Sequence, residues 1–138
     1  MHSNHWVVIG GLLGGLAVIL GAFAAHGLKS LLAPYSLEVF QTGVTYHFIH
    51  TVAILLCALF SMQASSRTGE KAFHRAAICF IIGILFFSGS LYALAITGVK
   101  WFGPITPIGG VMFILGWGLF AHAGYKMTDR TNVNGVNQ

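Results

Sequence analysis

Four long apolar runs alternate with short polar breaks along the chain. A transmembrane helix needs about 20 mostly apolar residues, and the runs supply spans over about residues 6–26, 38–62, 73–97 and 107–126. The first starts at Trp6 and carries Gly10, Gly14, Ala17, Gly21 and Ala24 at alternating four- and three-residue steps, which gathers them on one face. Small residues let backbones approach closely, and lipid offers helices no hydrophobic drive to associate, so this is a packing face. The segment before the run holds His2 and His5 but no Lys or Arg, and the run exceeds the apolar core of a signal peptide. It reads as a retained span.

The breaks carry start and stop signals. His26 and Lys29 suit the negative end of a helix dipole, and Gly27 is expected in the left-handed position that closes span one. Pro34-Tyr35-Ser36 interrupts the chain, with Ser36 as the expected cap of span two and Glu38 in its first turn. Residues 63–71, QASSRTGEK, form the longest charged connection, and span three ends at Gly98. Trp101 and Phe102 belong at the membrane interface. Thr106 is the expected cap of span four, with Pro107 at the first helical position. The fold class is therefore all-α: one integral membrane four-helix bundle over residues 1–127, followed by a disordered polar tail at 128–138.

The second run departs from this pattern because it is polar at depth. At about 100° per residue, Gly43, Tyr46, His47, His50, Ile54 and Cys57 fall within roughly one third of its circumference. Gln41 and Thr45 point the other way but lie near the helix end. Polar groups in hydrocarbon find no water, so such a face turns toward other helices or a wet cavity. His50 falls near the midplane. With Tyr46, His47, Ser88 and Ser90 it forms a candidate ligand or proton site in the bundle interior. Against this stands a neutral imidazole bonded to Ser88, Ser90 or a backbone carbonyl, which only fixes helix register. That structural arrangement carries more weight, since a neutral ring is far cheaper to bury than a charged one.

Composition agrees with the pattern: 56% of residues are hydrophobic and 7% charged, against about 25% charged in a soluble domain. The net charge of +4 comes from seven scattered Lys and Arg, with no cluster of the kind nucleic acid requires. Arg67, Lys71, Arg75, Lys126 and Arg130 share one side of the membrane and Lys29 and Lys100 the other, which places both termini in the cytoplasm. Glu38, Glu70 and Asp129, the three acids, lie in loops or near span ends, so no carboxylate at depth serves acid–base chemistry. Two isolated cysteines make no disulfide framework. Cys57, Cys79 and His122 sit at one depth in three spans, but buried cysteines mostly act as small hydrophobes. His26, His50 and His122 differ in depth, which disfavours a haem between two of them. No enzyme, cofactor or metal is expected. His2, His5 and His74 are read as inert interfacial residues, and Trp117 as a lipid-facing or packing residue.

GAFAAHGL at Gly21–Leu28, FQTGVTYHFIHTVAILL at Phe40–Leu56, FSGSLYALAITG at Phe87–Gly98 and GPITPIGGVMFILGW at Gly103–Trp117 resemble the YgdD/YwdK family of small four-span inner-membrane proteins, a domain of unknown function. The four ordered motifs touch every span. Ala24 stands where the family pattern has Gly, so a methyl enters a close-packed face. The resemblance implies a multi-pass cell inner-membrane protein with no assigned activity. It carries over His26, Tyr46, His50, Ser88, Ser90 and Pro107 only as interior or loop-defining positions, His26 and Pro107 at the interface or as caps.

The functional expectation is a non-enzymatic scaffold, accessory or lipid-interacting bundle. Its partners are membrane lipids and a second copy or another membrane protein, met through surplus small-residue faces. The alternative is a small carrier or oligomeric pore with a polar path lined by Tyr46, His50 and Ser88.

Overall fold

The computed structural model describes residues 3–64 and 66–135, with side chains described over 4–64 and 66–127. Among the described residues, four helices are long and apolar enough to cross a membrane: α1 (Ser3–His26), α2 (Pro34–Gln63), α3 (Arg67–Thr97) and α4 (Thr106–Gly135). Short 3₁₀ turns at Leu28–Ser30 and Lys100–Ile105 join α1 to α2 and α3 to α4. The expected tail begins at 128, beyond the described side chains, and residues 136–138 lie outside the described backbone.

The helices run alternately up and down. Gly10, Gly14 and Gly21 of α1 face Leu55, Thr51 and Val44 of α2, one numbering rising as the other falls. Phe80, Phe87 and Ser90 of α3 meet Gly116, Gly109 and Thr106 of α4 in the same opposed order. Contact passes from α1 to α2, α2 to α3 and α3 to α4, leaving α1 and α4 as flanks that bury less than half the share of residues α2 and α3 do. One apolar core joins Trp6, Ile54, Cys57, Phe73, Phe80 and Phe113. A second, toward the end opposite the termini, holds Ala24, Leu28, Phe40 and Ala95. The Ala24 methyl is thus fully packed.

Several helix ends differ from the sequence reading. Gly27 is right-handed (φ −83°), because the chain turns straight into the 3₁₀ segment; the left-handed glycine is Gly98 (φ 69°), which closes α3. Ser36 lies inside α2, which starts at Pro34 with no side-chain cap: proline's fixed φ opens the helix unaided. α3 starts at Arg67, before the apolar run, because Ser66 Oγ accepts the Gly69 amide and holds the polar first turn. Thr106 already has helical dihedrals, and its hydroxyl bonds Ser90 Oγ at 2.7 Å, tying α4 to α3.

Within α3, Ile84–Ser88 form a single π turn. The wider turn changes the helix phase where α4 comes nearest. A Cβ on Gly109 would strike the Phe87 backbone, whereas one on the neighbouring Gly110 would meet only ordinary ring contacts. The close crossing therefore depends on glycine at 109 and not at 110.

Candidate functional site

The polar face of α2 resolves into two histidines with different neighbours. His50 is buried, and Phe113 of α4 lies flat against its ring with centroids 3.5 Å apart and planes within 7°. Its Nδ1–H donates to the Tyr46 carbonyl one turn earlier at 2.7 Å. A carbonyl can only accept, so the other nitrogen, Nε2, is the acceptor, and the Trp117 indole N–H of α4 donates to it at 3.2 Å. Both nitrogens of a neutral imidazole are thus held by protein.

The partners anticipated among the serines are not used. Ser90 Oγ donates to the Phe87 carbonyl and bonds Thr106 instead. Ser88 Oγ is buried with no hydrogen-bond partner among the described residues, since the π turn places it inside α3's packed face. Trp117 packs edge-on against Phe80 and Phe120, as expected of a packing residue, and its indole N–H also serves His50. The missed signal was its N–H, which needs an acceptor wherever a tryptophan sits at bilayer depth.

His47 is buried toward α3, where Nδ1 and the Tyr92 hydroxyl lie 3.1 Å apart. Tyr46, expected inside, is 41% exposed at the bundle edge, stacked between His50 and Phe87. Its backbone carbonyl, not its phenol, serves the histidine. His26, at the end of α1, and Pro107, in the first turn of α4, are exposed.

At the end carrying the termini, His74 is not inert. The Trp6 indole donates to its Nδ1 at 2.6 Å, and its Nε2 faces Glu70 at 3.4 Å, linking the starts of α1 and α3. Cys57 is buried in the core while His122 is exposed on α4, so the pair does not converge. No group of three metal-ligating side chains assembles among the described residues.

Hollows open on the surface among the described residues. One of about 430 Å³ lies between α2 and α4, lined by Tyr46, Ile49, His50, Phe87, Gly110, Phe113, Ile114 and Trp117. A second, of about 240 Å³, continues it along α2 past Tyr46 to Glu38, Gln41, Thr42 and Thr45. A third, of about 360 Å³, lies where α2 starts and α3 ends, bordered by Tyr35, Ser36, Val39, Leu94, Ala95, Gly98 and Lys100. The interior histidines are tied to protein, and the accessible space is at the bundle edge.

A family model described as "Protein of unknown function (DUF423)" matches residues 20–110. A UPF0382 membrane protein of Haemophilus influenzae is 40% identical, over 90% of this chain and 96% of its own length. The UPF0382 membrane protein YwdK of Bacillus subtilis is 38% identical, over 88% of this chain and 96% of its own. The UPF0382 inner membrane protein YgdD of Escherichia coli K12 is 35% identical, over 86% and 88%. No solved structure matches. With similarity along nearly the whole chain and all four apolar helices in place, the chain belongs to the DUF423 family, the UPF0382 membrane proteins of unknown function.

Proposed function

We propose that the protein is a non-enzymatic bundle that acts by association, as a scaffold or accessory subunit in contact with membrane lipid and with a second copy or another membrane protein. The observation that carries this is His50. Its two ring nitrogens are engaged by Tyr46 and Trp117, so the most central ionisable group of α2 serves packing and leaves no lone pair for a substrate. The flanks support the same reading. Gly11 and Gly15 on α1 and Gly118 on α4 are exposed with open space beyond them, the close-approach surfaces that membrane helices use to associate. The excess of Lys and Arg at the end bearing the termini supports a cytoplasmic location for that end.

Liposomes holding the full chain test this. They should pass protons and small ions no faster than protein-free liposomes, and His50→Ala should lower thermal stability without altering that baseline. A flux that vanishes in His50→Ala would establish a carrier or pore instead. In the same membranes, Gly15→Cys should cross-link to a second chain or a partner under oxidation; an uncross-linked monomer speaks against association through α1.

A further inference from the structure

The hollows that meet at Tyr46 form one groove, and its polarity changes along its length. The part between α2 and α4 is walled by Tyr46, Phe87, Phe113 and Ile114 and floored by Gly110, with little polar surface. The part nearer the start of α2 is lined by Glu38, Gln41, Thr42 and Thr45. Glu38 stands about ten residues from the middle of Pro34–Gln63, hence about 16 Å from it at 1.5 Å per residue. That is the edge of a hydrocarbon core about 30 Å thick, while His50 lies near its centre. The groove thus runs from headgroup depth to midplane, polar and then apolar, which is the profile of one lipid in one leaflet.

The polar end also selects a charge. Thr42 Oγ1 donates to the Glu38 carbonyl and Thr45 Oγ1 to the Gln41 carbonyl, each at 3.0 Å, so both hydroxyl protons are committed and their oxygens can only accept. The Glu38 carboxylate forms no salt bridge among the described residues, and Lys100 borders a different hollow. A carboxylate, two threonine oxygens that can only accept and the turnable Gln41 amide oxygen beside them match a group with several N–H donors and a positive charge, a primary ammonium.

We propose that this groove binds an aminophospholipid, its ammonium at Glu38 and an acyl chain lying against Tyr46, Phe113 and Ile114. The proposal rests on reading the protein as a lipid-contacting bundle and adds which lipid, and where. The full chain is placed in nanodiscs with equal amounts of phosphatidylethanolamine, phosphatidylglycerol and phosphatidylcholine of the same chains, re-extracted in mild detergent, and its retained lipid counted by native mass spectrometry. One phosphatidylethanolamine per chain is expected, preferred about tenfold over the other two, as one charge-assisted contact allows.

E38Q, an isosteric change at an exposed position, should abolish the preference while lipid is still retained. Ile114→Trp, which fills the apolar part, should remove the retained lipid; thermal unfolding checks that both variants fold. Equal retention of the three lipids by the unaltered chain overturns the proposal, as does a preference that survives E38Q or retention that survives Ile114→Trp. Retention without headgroup preference sinks the groove and leaves the lipid-contacting reading standing, whereas a chain retaining no lipid loses both.

Discussion

At the scale of single residues, His50 shows how a polar side chain is kept at bilayer depth. Its Nδ1–H uses a carbonyl on its own helix, and only Nε2 reaches across to Trp117. Trp117→Phe removes that donor, keeps a ring near Phe80 and Phe120, and strands a buried acceptor. The expected loss is about 1 kcal/mol of unfolding free energy in detergent, within the range for hydrogen bonds between membrane helices. His50→Leu also removes the acceptor, so His50→Leu with Trp117→Phe should cost less than the two single losses added together. Strict additivity in this double-mutant cycle would mean the 3.2 Å contact carries no stability.

At the scale of helices, the crossing of α3 and α4 is decided by which of two adjacent glycines faces the π turn. Gly109→Ala drives a methyl into the Phe87 backbone, which cannot step aside as a rotamer could, and should cost about 1–3 kcal/mol or more. Gly110→Ala meets only the Phe87 ring at 3.8 Å and gains helix propensity of up to about 1 kcal/mol, so it should be neutral or stabilising. Unfolding both variants side by side checks this, and equal effects would contradict the close approach at 109. The sequence made the glycine run visible, and Gly10, Gly14 and Gly21 lie on the α1 face that meets α2. It did not distinguish Gly109 from Gly110, because their roles depend on the π turn at Ile84–Ser88, and no local pattern there announces an extra residue in the turn. On the same face, Gly43, His47, His50, Ile54 and Cys57 are buried. Periodicity misplaced Tyr46, whose direction is set by α4 standing off from α2 and opening the groove. The early start of α3 was legible in Ser66, but hydropathy hid it because the first turns of that helix are charged.

At the scale of the molecule, the charges and the groove fix each other's meaning. Hydrocarbon and headgroups impose no up or down on four antiparallel helices, so orientation falls to the basic residues beside the span ends. Arg67, Lys71 and Arg75 crowd the first turns of α3, and Lys126 stands near the same end of α4, whereas Lys29 and Lys100 stand alone at the opposite end. A chain so biased should present the 3₁₀ turn before α4 outside the cell and the α2–α3 connection inside. Cysteine labelling of intact cells reads this directly. Gly103→Cys, where a Cβ meets nothing, should react with a membrane-impermeant maleimide, and exposed Thr68→Cys only after permeabilisation. Cys57, buried, and Cys79, half-buried, lie within spans and should contribute little background. The reverse labelling would invert the protein. It would also move Glu38 from the outer leaflet to the inner one, so the same experiment decides which leaflet supplies the lipid whose ammonium the groove is built to meet.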